Sequence, residues 1–138
     1  MPPQDEEALL QRARDRRDVV ALVRLKTTAS AEARAKAEEA LKARLRDRPK
    51  AFIRAVRRAD DADVRSAALL WMVEEAPRQA SQLTSRFLKD RDVDVREAAV
   101  RATHRIADAG EDVLPMLALA LQDSEARVRA AALRGLQT

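Results

Sequence analysis

The sequence has 138 residues, of which 36% are charged and 2% aromatic, and its net charge is +4. With 29 alanines, two glycines and no tyrosine, it lacks the residues that strands and their turns require, which excludes an all-β fold. The absence of cysteine excludes disulfides and thiolate metal sites. We therefore expect an all-α protein of about one domain, without a metal or a cofactor.

The first predicted element is a helix over residues 4–16. Acidic residues occupy its first turn, and Leu9, Leu10 and Ala13 lie on one face, as in an amphipathic helix that caps the start of a domain. No segment approaches 18 consecutive apolar residues, and the first residues lack the pattern of a secretory signal. We therefore expect no membrane association and a cytoplasmic location.

A short pattern recurs through the rest of the chain. In three places an acid stands three residues before a Val-Arg pair. We call the valine of each pair the pivot of its repeat, and these are Val64, Val95 and Val128. A weaker copy has Ser30 before Ala33. The four pivots are spaced 31, 31 and 33 residues apart, which is typical of repeat proteins. A position such as +1 is counted from the pivot of its own repeat.

Each pivot predicts the first turn of a helix. Ser30, Asp61 and Asp92 are suited to accept hydrogen bonds from the free N–H groups there, and small or apolar residues at +3, +4, +7 and +8 form one stripe. A second amphipathic segment precedes each acidic turn. We therefore expect one domain over 1–138, in which helical hairpins stack on one another over 18–46, 48–76, 78–109 and 111–138.

The residues from Val113 to Leu133 closely resemble a HEAT repeat of the short, PBS-lyase-like type, and those from Leu83 to Ile106 are similar. The resemblance implies a right-handed α-solenoid of about four HEAT-like hairpins after an N-terminal capping helix. It also implies a non-catalytic scaffold that binds a protein partner through a concave face lined by the second helices.

In similar repeats, an arginine after the pivot forms a ladder with acids of the turns. The resemblance therefore implies a structural role for the arginines at +1, and a phosphate-binding row is the alternative. These arginines are Arg34, Arg65, Arg96 and Arg129.

The residues at +2, +6 and +9 are expected on the concave face. The partner-binding candidates among them are Leu70, Val73, Glu97, Arg101, His104 and Arg134. Exposed together beside arginines, Leu70 and Val73 would form a protein-docking patch, whereas in a slightly rotated helix Leu70 packs inward. His104 is the only histidine, and the carboxylates that could surround it to form a metal or catalytic site are better explained as helix surface and loop polarity: Glu97, Asp108, Glu111 and Asp112.

Basic residues concentrate in the first 60 positions, which hold 16 Lys or Arg against 10 Asp or Glu. One cluster surrounds a predicted loop before Phe52 and consists of Arg44, Arg46, Arg48, Lys50, Arg54, Arg57 and Arg58. It suits nucleic-acid phosphates or an acidic protein, and a merely solvated surface is the alternative. Some DNA glycosylases consist of HEAT-like repeats with a basic concave surface. DNA binding is therefore the alternative function, although the catalytic residues of those enzymes are not matched.

The last repeat raises two further expectations. Gly110 lies where the 33-residue spacing adds two residues, and we expect it to end a helix in the left-handed conformation. Leu133 and Leu136 leave an apolar edge. Either this edge is too small to matter, or it meets a partner, a missing segment or a second copy of the chain, as in a homodimer.

Overall fold

The computed structural model describes residues 3–16 and 18–136, and within these ranges the regular structure is entirely helical. The helices are α1 (Pro3–Asp15), α2 (Val19–Thr28), α3 (Ala31–Asp47), α4 (Pro49–Arg58), α5 (Ala62–Glu75), α6 (Pro77–Phe87), α7 (Val93–Asp108), α8 (Leu114–Ala120) and α9 (Ala126–Leu136). The all-α prediction is therefore confirmed. The chain forms two compact units, Met1–Ala67 and Ala68–Thr138, whose boundary lies inside α5.

Each predicted repeat range corresponds to two helices, although α3 ends one residue after its range at Asp47 and α6 begins one residue before its range at Pro77, and α1 precedes them all. Positions 137 and 138 of the last range are outside the described residues. The first helices of the last three repeats have a proline in their first turn, at Pro49, Pro77 and Pro115. Proline is favourable there because its fixed φ suits the helix and the N–H group that it lacks would have no partner within the helix.

The predicted caps of the second helices are confirmed. Ser30, Asp61 and Asp92 lie directly before α3, α5 and α7, and each side chain accepts a hydrogen bond from a backbone N–H two or three residues later. These bonds satisfy donors that a helix leaves unpaired at its start, so the acidic turns determine where the second helices begin.

In the first unit, α1 packs against α2 and α3, and α2 also packs against α4. The largest side chains of its core are fully buried, and burial of each contributes about 2 kcal/mol. They are Leu10, Leu22, Leu41, Phe52 and Val56. The carboxylate of Glu6 in α1 accepts hydrogen bonds from the backbone N (3.1 Å) and Oγ (2.6 Å) of Ser30. The bond from Ser30 Oγ is the main reason that the pKa of Glu6 is lowered.

In the second unit, α7 contacts α6, α8 and α9. Alanines are half of the buried residues of α7 and α9, which suits a close approach of the two helices: Ala98, Ala99, Ala102, Ala131 and Ala132. Gly110 follows α7 with a φ of +91°, which confirms the left-handed conformation expected at this helix end.

Candidate partner-binding surface

Three of the four arginines at +1 bind the turn that precedes their own helix. Arg65 Nη1 donates to the carbonyl oxygen of Ala59 at 2.8 Å, and the residue is only 4% exposed. Arg96 Nη1 donates to Asp90 O at 2.9 Å, and Arg129 Nη1 donates to Asp123 O at 2.7 Å. Because these groups stabilise the backbone of the turns, the arginines support the structural interpretation.

Arg96 also links two repeats. Its Nε donates to Oδ2 of Asp123 in the next turn at 2.9 Å, and the two side chains are 15% and 8% exposed. Such an ion pair is the contact that the predicted ladder requires. Arg34 differs because its side chain is exposed, and the turn before α3 is bound by Glu6 instead.

The candidate His104 faces α9. Its Nε2 lies 3.3 Å from the carbonyl oxygen of Ala131, and its ring covers Gly135 so closely that a Cβ added there would lie 1.6 Å from Cε1. The residue at +9 of α7 therefore packs against the next repeat, and His104 is half-buried. Part of the His104 side chain is therefore covered by α9, and its role in partner binding stays a prediction.

Val73 also occupies +9, on α5. Val73 is 2% exposed, so the expected apolar patch of Leu70 and Val73 does not form. A helical wheel shows that +6 and +9 lie on one side of a helix, but it does not show how far the neighbouring repeat extends over that side. Leu70, at +6, is half-buried, as the alternative of a rotated helix implied.

Most charges on α7 are paired. Glu97 is half-buried and lies 3.5 Å from Nε of Arg127, which also binds Asp94. Arg105 binds Glu74 of α5. The candidate Glu97 therefore contributes to the contact between α7 and α9.

The remaining candidates all occupy +6, and we call Leu70, Arg101 and Arg134 the +6 row. Arg101 and Arg134 are exposed and form no ion pair within the described residues. They occupy equivalent positions on α7 and α9, which are packed neighbours, and packed helices lie roughly 8–10 Å apart. Two guanidinium groups without ion pairs in the described residues, at equivalent positions of neighbouring helices, suit a segment that carries carboxylates.

The basic cluster belongs to the first unit and has its strongest part on α4. Lys50, Arg54, Arg57 and Arg58 are exposed on the side opposite the buried Phe52, and α4 contains no acid. We call these four cations the basic face.

The other three cations of this cluster are placed less favourably. Arg48 is exposed, and Arg46 lies 3.3 Å from Asp47. Arg44 is half-buried, and its Nε is enclosed without a hydrogen-bond partner among the described residues. Arg44 is therefore the cation of the cluster least able to reach a partner.

The first unit also has a cleft of about 520 Å³ that the sequence did not reveal. The cleft lies between α2 and the start of α5, where Arg24 and Asp61 form an ion pair of 3.7 Å. Both side chains are about half exposed, so the cleft is an open groove. Within the described ranges, no three His, Asp or Glu side chains are grouped to hold a metal ion, and no helix has the length and apolar character to cross a membrane.

Comparison with known proteins identifies one family. A family model described as HEAT repeats matches residues 49–137, which is more than half of the chain. No curated protein and no solved structure is significantly similar to the chain. Proteins with such repeats are generally interaction scaffolds and typically have no catalytic activity.

Proposed function

Because the chain belongs to the HEAT-repeat family, we propose that it is a non-catalytic scaffold that binds a protein partner through its second helices. The resemblance to short HEAT repeats implies that the residues at +2, +6 and +9 of these helices belong to a concave face. The cytoplasmic location stays a prediction.

The +6 row is the observation that carries this proposal. Arg101 and Arg134 are exposed and unpaired within the described residues, whereas the other arginines of α7 and α9 bind turns or acids of the fold. The half-buried Leu70 occupies the same position on α5. A partner that fits this row is an acidic segment with an apolar side chain at the end that meets Leu70.

Affinity capture with Arg101→Glu tests the proposal. The reversed charge repels carboxylates that Arg101 would bind, so we expect the variant to lose a partner that the wild type retains. Arg78→Glu is the matched control, because Arg78 is an exposed arginine on the first helix α6. Identical partners for the wild type and Arg101→Glu would show that the +6 row is not the binding surface.

A second candidate function is nucleic-acid binding through the basic face, which presents four exposed cations on one side of α4. Neutralising about four phosphates of duplex DNA would give a slope of about −3.6 in a plot of log affinity against log salt concentration. We expect Lys50→Glu with Arg54→Glu to weaken binding to duplex DNA, measured by fluorescence anisotropy, and Arg78→Glu to retain more of it. No binding of the wild type at about 50 mM salt would eliminate this function.

A further inference from the structure

Two ion pairs border the +6 row, one on each side. Arg105 of α7 binds Glu74 of α5, and both residues occupy +10 of their repeats. Arg127 of α9 binds Asp94 of α7, and both occupy −1. Each pair therefore joins equivalent positions of neighbouring repeats. Because −1, +6 and +10 lie on one side of a helix, the +6 row crosses α5, α7 and α9 between the two pairs.

The position of Arg127 explains why Arg101 has no ion pair. The fourth repeat has a cation at −1, whereas the first three repeats have acids there: Glu32, Asp63 and Asp94. Glu97 stands four residues before Arg101, a spacing that favours an ion pair within a helix. Its carboxylate lies instead 3.5 Å from Nε of Arg127. Since α9 contains no acid, both arginines of the row are left without a carboxylate within the described residues.

We propose that the +6 row binds an extended acidic segment of the partner, which crosses the helices and presents one side chain to each repeat. This inference rests on the proposed function and adds the conformation and the sequence spacing of the bound segment. Packed helices lie about 8–10 Å apart, which is the advance from one repeat to the next. Three residues of a polyproline II segment cover about 9 Å and return the side chain to the same face. The segment that fits has an apolar residue opposite Leu70 and carboxylates three and six residues away, opposite Arg101 and Arg134.

The ion pair at +10 favours an extended segment over a helix. Along the helix axis, +10 is four residues from +6, or about 6 Å. A helix with its side chains is about 10–12 Å wide, so a partner helix centred on the row would reach Arg105 and Glu74. It would displace water from these charges, whose side chains are 52% and 55% exposed. An extended chain is about half as wide, since neighbouring strands lie about 4.7–4.9 Å apart, and it fits beside the pair.

Peptides that differ only in the spacing of their acids test the inference with the full chain. Each fluorescent peptide carries one leucine and two glutamates in a proline-rich background, and fluorescence anisotropy measures its binding. Both chain directions are made, with the leucine before or after the glutamates. A spacing of three residues is expected to bind about tenfold more tightly than spacings of two or four, because only that spacing brings both carboxylates opposite an arginine.

Charge exchange tests which arginine meets which carboxylate. Arg134→Glu is expected to weaken binding of the peptide with three-residue spacing about tenfold, because like charges then face each other. Replacing the glutamate farther from the leucine with arginine is expected to restore most of the affinity, whereas replacing the nearer one is not. Arg101→Glu is expected to give the opposite result. Arg78→Glu on α6 is the matched control and is expected to bind like the wild type, and thermal unfolding shows that each variant is folded.

Three results would overturn the inference: equal affinities at all spacings, tightest binding by a helical peptide with its charges seven residues apart, or no binding of any peptide. None of them contradicts the scaffold function, because affinity capture with Arg101→Glu tests that function on the whole partner. A partner lost in that capture, together with any of these results, would mean that the +6 row binds a segment of another conformation. Identical partners in the capture would instead remove the proposed function, on which the inference rests.

Discussion

The turns before α3 and α7 hold their helices by different means. Before α3, the carboxylate of Glu6 accepts two hydrogen bonds from Ser30, and both groups belong to the first unit. Before α7, the guanidinium of Arg96 donates to carbonyl oxygens of its own turn and to Asp123 of the next turn. The turn before α3 is stabilised by α1, a helix outside the repeats. The turn before α7 is stabilised by the arginine at +1 of its own repeat, which also binds an acid of the next turn.

This difference shows how the repeats connect. An arginine at +1 with an acid in the next turn can be repeated indefinitely, because each repeat supplies one member of the next contact. The carboxylate of Glu6 satisfies the first turn without requiring a repeat before it, which is what a capping helix must do. Four substitutions test this comparison.

Arg96→Ala is expected to cause the largest loss, about 2–4 kcal/mol of unfolding free energy. The change leaves the Asp123 carboxylate, 8% exposed, without its cation. Urea denaturation measures the loss. Arg127→Ala is the matched control, because Arg127 is 49% exposed in its ion pairs and is expected to lose less than about 1 kcal/mol. Equal losses would mean that the buried pair of Arg96 and Asp123 stabilises the fold no more than the exposed pairs of Arg127 do.

Gly135→Ala tests whether close packing, in addition to ion pairs, stabilises the contact between the last two repeats. The new methyl group would collide with the His104 ring, and we expect a net loss of about 1 kcal/mol. With His104→Ala already present, the collision is gone and alanine's higher helix propensity is expected to make Gly135→Ala stabilising by up to about 1 kcal/mol. Thermal unfolding of the four proteins measures the reversal, and the same sign in both backgrounds would contradict the close packing.

Glu6→Gln is expected to lower stability at neutral pH by less than Arg96→Ala. The bonds from Ser30 hold the folded pKa of Glu6 below its ordinary value of 4.5. The contribution of its charge is therefore present above pH 4.5 and is lost as the pH falls through the lower folded value.

Unfolding midpoints measured across pH test this expectation. The difference between wild type and Glu6→Gln should be constant near neutral pH and shrink in acid. Glu7→Gln is the control, because the side chains of Glu7 and its partner Lys36 are 57% and 39% exposed and water competes with their ion pair. A difference that does not change with pH would show that Glu6 does not act through its charge.

Arg105→Ala is expected to have the smallest effect, within about 0.5 kcal/mol. Arg105 and Glu74 bind each other with 52% and 55% of their side chains exposed, so water competes with the pair. Urea denaturation measures the change. A loss of about 2 kcal/mol or more would show that this surface pair contributes as much as the ladder contact of Arg96 does.

The local features of the fold were predictable from the sequence because each depends on neighbouring residues. The caps at Ser30 and Asp92 and the helix end at Gly110 follow from side chains within three residues of the backbone that they affect. The bond between Glu6 and Ser30 joins residues 24 positions apart, outside the repeat pattern, and no local signal indicated it.

The candidate surface was only partly predictable. The period correctly placed Arg101 and Arg134 at equivalent exposed positions. It did not predict the burial of Val73, which is 2% exposed, or the contact of the His104 ring with Gly135 of the next helix. Gly135 has no side chain and leaves space for the His104 ring against α9, and the sequence pattern does not indicate this contact.

The connection at Gly110 adds two residues to a repeat while contacts between this repeat and the next are present. Its backbone has a φ of +91°, and beyond its two chain neighbours no residue has a heavy atom within 4 Å of where a Cβ would stand. The two additional residues there are accommodated at the surface, while Arg96 still meets Asp123 and His104 still meets Gly135. Related chains should therefore be aligned on their pivots, because the longer period at this connection is compatible with the contacts of Arg96 with Asp123 and of His104 with Gly135.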